Sequence, residues 1–330
     1  MYEASTERYE HMEYRRVGES GLKLPAVSLG LWHNFGEHAD YDAMKKLVLT
    51  AFDCGIAHFD EANNYGPPNG ASETNFGRIL KEELAPYRDE LIISTKAGYR
   101  MWDGPYGDFG SRKYLLASLD QSLKRLGLEY VDVFYHHRPD RQTPVEETAG
   151  ALAQAVHSGK ALYVGLSNYN GEQLERAAQV LKEERVPFVI NQNRYNLLDR
   201  TIERNGLKET ARKLGKGIIC YSPLNQGTLS DRYLNGIPAD SRVRTDGRFL
   251  QADKITEDLL GKAAALRKIA LNRGQTLAEM ALAWILRDPV VCSVLVGASK
   301  PEQIRENVKA ASNTSFTEEE LEAIDAVCES

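Results

Sequence analysis

The sequence predicts one α/β domain built as an eight-stranded parallel (β/α) barrel, and three observations predict it. Eight short apolar runs recur along the 330 residues: VSLGL (27–31), IAHF (56–59), LIIST (91–95), VDVFYH (131–136), ALYVGLS (161–167), PFVINQ (187–192), GIICY (217–221) and VCSVLVG (291–297). Most are apolar at consecutive positions, the mark of strands covered on both faces, as parallel sheets are. Segments of helical period separate them at a spacing of roughly 25–40 residues, which a βαβ series gives. Eight strands close a TIM barrel of ordinary size. An open doubly wound sheet is the weaker alternative, because no Gly-x-Gly-x-x-Gly follows any run.

Each element has its local reason. Residues 1–13 are polar and acidic, lack the apolar core of a signal peptide, and are expected to form a flexible N-terminal tail on a cytoplasmic protein. YRRVGESGLKLP (14–25) reads as a β-hairpin turning on Glu19-Ser20-Gly21 and capping the barrel floor. In 111–127, Leu115, Leu119, Leu123 and Leu126 make an apolar stripe, with Ser111 placed to cap the helix and Gly127 to end it. Thr143 with Glu146 predicts a capping box around Pro144, and Thr276 with Glu279 and Thr317 with Glu320 repeat that signature. Phe316 and Leu321 are spaced as a hydrophobic staple. Residues 223–256 carry no clean period and read as a long loop after the seventh barrel strand, a length that compact domains usually reserve for function. Nothing rich in Pro, Gly or Ser divides the chain, so residues 1–330 are read as a single domain.

Composition narrows the function. A net charge of −6 and a pI near 5.8 give no basic footprint for nucleic acid or an anionic membrane. The longest apolar run, around Val290 to Ala298, is too short to cross a bilayer. Cys54, Cys220, Cys292 and Cys328 lie far apart without a C-x-x-C pair, so free packed thiols are expected and no metal site is.

Parallel barrels place their sites at the C-terminal ends of the strands, so the polar residues that end the apolar runs are the candidates. They are Asp60, Lys96, His136 and His137, Ser167 and Asn168, Gln192, and Tyr221. Each alone is adequately explained as a cap, a solvated strand end or a structural histidine. Their convergence on one mouth favours a site. A carboxylate, a lysine, a histidine and Tyr65 brought together there make a general acid for a carbonyl that gains negative charge, with the ammonium expected to lower the tyrosine pKa. Ser167, Asn168 and Gln192 offer what a carboxamide needs, and Tyr221 offers a face for a flat ring. Arg232, Arg242, Arg244 and Arg248 in the long loop could grip phosphates, with a solvated surface role equally open for Arg244 and Arg248. Gly297, Ser299 and Lys300 precede a helix opening at Pro301, whose free N–H groups are expected to attract phosphate.

These motifs resemble the aldo-keto reductases from about Tyr14 to Cys328: GIAHFDEANNYG, ISTKAGY, DVFYHHRPD, VGLSNY, NQNRYN, YSPL and VGASKPEQIREN stand in the family's order. The resemblance implies a barrel that binds NADP(H), with Tyr65 as general acid, Asp60 and Lys96 tuning it, and His137 rather than His136 orienting the carbonyl. It implies that Ser167, Asn168, Gln192 and Tyr221 hold the nicotinamide. Ser222, Pro223, Leu224, Gln226, Arg232 and Arg242 would line the pyrophosphate, and Gly297, Ser299, Lys300, Gln303, Glu306 and Asn307 the adenosine end. Many members carry a lysine where Gly297 stands to grip the 2′-phosphate, which leaves that part to Lys300.

Within the family the chain resembles the branch with bacterial L-glyceraldehyde 3-phosphate reductases and voltage-gated potassium channel β subunits. A small carbonyl substrate, glyceraldehyde 3-phosphate or methylglyoxal, and assembly into a tetramer or octamer follow from that resemblance alone. The competing reading is an NADP(H)-sensing interaction subunit; histidine at 137, where channel subunits typically have asparagine, favours the enzyme. Trp32, His33, Trp102, Tyr106 and Arg100 are candidates for the substrate wall, and Arg100 or Arg138 for a substrate phosphate.

Overall fold

The computed structural model describes residues 2–234, 236–238, 241–245 and 250–329, the side chains of Arg242 and Thr245 excepted. Strands β1 (Tyr14–Arg16) and β2 (Lys23–Pro25) form the expected antiparallel hairpin. Val17 N–H donates to Leu22 O at 2.9 Å across its turn. The barrel follows: β3 (Val27–Gly30), β4 (His58–Asp60), β5 (Ile92–Ala97), β6 (Val131–His136), β7 (Ala161–Ser167), β8 (Phe188–Arg194), β9 (Gly217–Tyr221) and β10 (Val291–Val296). All eight are parallel, in the closed order β10-β3-β4-β5-β6-β7-β8-β9.

The hairpin closes the floor because its apolar residues reach the barrel interior. Val17, Leu22 and Leu24 join Val133, Tyr135, Ile190, Ile219 and Cys292 in one buried cluster. Gly18 is required in that approach: with φ +54, a Cβ there would sit 2.1 Å from the Gly215 carbonyl oxygen. Strand alternation then decides which side chains face inward. On β4, Phe59 points out to Phe76 while His58 and Asp60 point in; on β5, Ser94 and Lys96 share the inner face.

The outer layer comprises α1 (Tyr41–Asp53), α2 (Ala71–Ile79), α3 (Arg112–Leu126), α4 (Val145–His157), α5 (Gly171–Glu183), α6 (Thr201–Arg204), α7 (Leu207–Lys213), α8 (Arg242–Thr245), α9 (Glu257–Asn272), α10 (Leu277–Leu286), α11 (Pro301–Asn307) and α12 (Glu318–Glu329). Ser111 caps α3 and Gly127 ends it at φ 68. The Thr276–Glu279 and Thr317–Glu320 capping boxes form. The Thr143–Glu146 box does not. Thr143 Oγ1 donates instead to Asp140 Oδ2 at 2.6 Å, and Pro144 becomes the cap of α4 with no side-chain bond. The loop and the helix competed for one hydroxyl, and the loop won.

The N-terminal segment also differs from the expected flexible tail. Tyr2 OH and Ser5 N–H donate to Asp53 Oδ1 at 2.6 and 2.8 Å, and Ala4 and Met12 are buried in the outer core. The four cysteines are free. Among the described residues no helix is long and apolar enough to cross a membrane, and no group of three metal-ligating side chains gathers.

Candidate active site

Asp60 ends β4 and is buried at 1% exposure, so its charge must be matched inside the barrel. The neighbouring strand does so: Lys96 Nζ donates to Asp60 Oδ2 at 2.6 Å, to the Glu61 carbonyl at 2.6 Å and to Tyr65 OH at 3.2 Å. Those three contacts use all three ammonium protons. The Tyr65 oxygen therefore accepts from Lys96, which leaves its own O–H to be donated elsewhere. The other Asp60 oxygen takes Ser94 Oγ at 2.7 Å and Gln192 Nε2 at 3.1 Å. Behind it His58, buried and neutral, bridges Ser94 and Ser28 at 3.0 and 2.9 Å, and burial pulls its pKa down to about 4.

His137 lies one residue beyond β6, its ring edge-on to Tyr65 at 6.0 Å. His136 is the last residue of β6 and points outward, where Tyr169 OH meets its Nδ1 at 2.7 Å. Alternation separates the two histidines. Burial, then the Lys96 charge, hold His137 well below the usual histidine range, so the ring is neutral. Its Nδ1 is buried without a hydrogen-bond partner. A buried lone pair costs less there than an orphaned N–H, which places the single ring proton on Nε2.

The electrostatics of Tyr65 reverse one expectation. Burial, then the Asp60 charge, hold the phenol well above its ordinary value rather than below it. Burial also pulls Lys96 below its ordinary value, against the opposing Asp60 charge. A phenol kept protonated is a donor in waiting.

A cavity of about 890 Å³ opens from this cluster across the barrel mouth. Asp60, Tyr65 and His137 line one part, Asn168, Gln192 and Tyr221 the centre, and Ser222, Pro223, Leu224, Gln226 and Arg232 the next stretch. Gly297, Ser299, Gln303, Glu306 and Asn307 line the far part. Asn168, Ser222 and Gln226 have φ of 62, 52 and 59, left-handed backbone that non-glycine residues adopt where the surroundings impose it. Tyr221 OH donates to Asn168 Oδ1 at 2.8 Å, which holds the ring in place over the mouth.

Some predicted cofactor residues fall elsewhere. Ser167 is buried behind Asn168, 3.2 Å from its Nδ2, and does not line the cavity. Lys300 is exposed and outside the lining. The free N–H groups expected before Pro301 are taken, since Ser299 and Lys300 N–H both donate to Gln303 Oε1 at 2.8 and 3.3 Å. The Arg242 side chain and all of Arg248 lie outside the described residues, and Arg244 is exposed on α8.

The substrate candidates divide as well. Trp32 and His33 line the cavity, with Trp32 6.0 Å from Tyr65. Trp102 turns away to pack on Tyr114 at 5.2 Å. Arg100 is exposed and paired with Asp103, and Tyr106 is exposed beside Lys113. Arg138 is bound to Gly98 O and Asp108 Oδ1, both at 2.7 Å. None of these four lines the cavity. Tyr99, 4.7 Å from His137, and Asn64 do line it and were not anticipated as wall residues. Tyr99 lies three residues past Lys96 and beyond β5, where strand alternation no longer sets the direction of a side chain.

The comparisons with known proteins agree with the barrel. The profile of the aldo/keto reductase family matches residues 26–329. An L-glyceraldehyde 3-phosphate reductase of Escherichia coli O157:H7 is 57% identical over 325 residues, covering 98% of this chain and 94% of that protein. A putative voltage-gated potassium channel subunit beta of Schizosaccharomyces pombe is 39% identical, covering 96% and 94%. The crystal structure of a thermostable aldo-keto reductase in complex with the inhibitor epalrestat superposes with a TM-score of 0.75 at 31% identity, covering 96% of this chain and 100% of that one. With barrel and sequence in accord, the chain belongs to the aldo/keto reductase family and is an oxidoreductase.

Proposed function

We propose that the protein reduces a small aldehyde or ketone to the alcohol with NADPH, Tyr65 serving as general acid. One observation carries the reading: Lys96 Nζ is held by Asp60 and the Glu61 carbonyl so that its third proton meets the Tyr65 oxygen. The phenol O–H is thereby left to point at a substrate oxygen, with the His137 Nε2–H as a second donor from the side. Two such donors stabilise negative charge on that oxygen as it develops, and burial strengthens both.

The cavity has room and chemistry for a nicotinamide dinucleotide. Asn168 and Gln192 would hold its carboxamide, the Tyr221 face its ring, Ser222 to Gln226 and Arg232 its pyrophosphate, and Gln303, Glu306 and Asn307 its adenosine. When bound, it supplies the hydride. Tyr65 then gives its proton to the alkoxide oxygen, and Lys96 and Asp60 hold the resulting phenolate in charge balance. Arg242 and Lys300 are retained as the cations for the phosphates of NADPH.

The substrate class draws on the relatives named above, and glyceraldehyde 3-phosphate leads, with methylglyoxal second. A nicotinamide-sensing subunit is the alternative, favoured by the likeness to channel subunits. Oxidation of NADPH and of NADH, followed with glyceraldehyde 3-phosphate, methylglyoxal and benzaldehyde, separates them. Turnover on a small aldehyde, faster with NADPH, is expected. Equal and feeble rates on all three would overturn the reduction of a small aldehyde as its role in favour of the sensor.

A further inference from the structure

Glu61 has no side-chain part in the proposed reaction, yet it is fully buried beside it. Ser72 Oγ, in the first turn of α2, stands 2.7 Å from Leu31 O and 2.7 Å from Glu61 Oε1. A hydroxyl has one proton to give, and a peptide carbonyl can only accept. At that distance Leu31 O takes the Ser72 proton, so Glu61 Oε1 can face the hydroxyl only as a donor. An ionised Glu61 would press lone pair against lone pair at one of the two contacts. It would also leave Oε2, which has no hydrogen-bond partner, as a bare charged oxygen in the core.

The charges around it are already matched. Glu73 on α2 takes Thr95 Oγ1 at 2.5 Å and pairs with Arg125 of α3 at 2.7 Å. Lys96 on β5 is matched by Asp60 on β4. A second carboxylate between these pairs would have no counterion among the described residues. Burial, then the Glu73 charge, hold Glu61 well above the usual carboxylate range.

We propose that Glu61 is a positioning residue, a neutral carboxylic acid that donates to Ser72 and so keeps Lys96 on Tyr65, and that losing this proton at alkaline pH disables the site. The linkage is short. The Glu61 carbonyl accepts from Lys96 Nζ at 2.6 Å, and Ser72 N–H donates to the Tyr65 carbonyl at 3.4 Å. The bond between the Glu61 and Ser72 side chains therefore ties together the turn that holds both reacting partners. An ionised Glu61 would set Lys96 between two anions and draw it from Tyr65 OH, at 3.2 Å the longest of its three contacts.

The effect on turnover rests on the reduction proposed above; the proton on Glu61 does not. Infrared difference spectra of the full-length protein at neutral pH, in H2O and in D2O, read the proton directly. A protonated-carboxyl band that shifts in D2O and disappears in Glu61→Gln is expected. In parallel, Glu61→Ala lowers kcat at neutral pH with little change in KM for NADPH. Glu61→Gln, whose amide N–H donates to Ser72 in the acid's place, restores kcat and moves the alkaline limb of the pH profile upward. A wild-type spectrum that loses no such band in Glu61→Gln overturns the neutral acid. A band that behaves as expected beside an unmoved alkaline limb overturns its link to the reaction. If no carbonyl is reduced at all, the band still decides the state of Glu61.

Discussion

Replacing Lys96 by methionine keeps the length of the side chain and deletes its charge. The structure then loses three hydrogen bonds at once, two of them buried, to Asp60 Oδ2 and the Glu61 carbonyl, and one to Tyr65 OH. Lys96 is 0% exposed and the Asp60 side chain 2% exposed, so water cannot take the ammonium's place. Removing one partner of such a pair typically costs about 3–5 kcal/mol, because the other charge is left uncompensated. Spread over the 330 residues of this chain at an unfolding entropy of about 2 cal/mol/K per residue, that is a fall in Tm of about 4–7 °C. Calorimetry at matched pH measures it. Carbonyl reduction is expected to fall with it, since the Tyr65 oxygen loses the donor that fixes it. A Tm unchanged within about 1 °C would show that Asp60 never depended on Lys96.

Three further outcomes follow from particular contacts. His58 and His136 are buried as neutral rings, with burial lowering each to about 4 from the usual 6.5. A depressed folded-state pKa gives stability that is present above 6.5 and is lost as pH falls through about 4. Denaturant titrations across that window should show a loss on the order of 3 kcal/mol per histidine, diminished by one histidine's share in His136→Phe; a flat profile would contradict it. Trp32→Ala opens the cavity wall beside Tyr65 and should raise KM for the aldehyde on the order of tenfold, about 1.4 kcal/mol. Arg100→Ala removes only an exposed ion pair and should leave KM within about twofold; a large rise in KM for a phosphorylated substrate would restore Arg100 to the site.

The barrel and the buried cluster were legible because they depend on local rules. Asp60 and Lys96 end apolar runs, and two-residue alternation turns both inward; His137, one step past β6, escapes the outward direction given to His136. The caps at Ser111, Thr276 and Thr317 formed, each hydroxyl accepting from the backbone N–H three residues on. Thr143 turned to Asp140 instead. Direction was harder to read on loops, where no period constrains a side chain. Trp102 found a partner in Tyr114, and Arg138 a partner in Asp108, away from the cavity. The N-terminal segment looked like a tail by composition, yet two of its groups converge on the single carboxylate of Asp53, 48 and 51 residues away. Gln303 is the subtlest case. By turning its amide oxygen back onto Ser299 and Lys300 it closes a set of donors that the sequence leaves open.

In the reduction proposed here Tyr65 donates the proton and leaves cofactor binding to other residues. Tyr65→Phe removes one oxygen, the one Lys96 reaches at 3.2 Å, and leaves Asn168, Gln192, Tyr221 and the far end of the cavity untouched. Single-turnover NADPH oxidation, paired with fluorescence titration of NADPH on the same variant, measures both halves. Turnover lower by about a hundredfold to ten-thousandfold, the usual contribution of a positioned general acid, is expected, with NADPH affinity nearly unchanged. Undiminished turnover in Tyr65→Phe would contradict it.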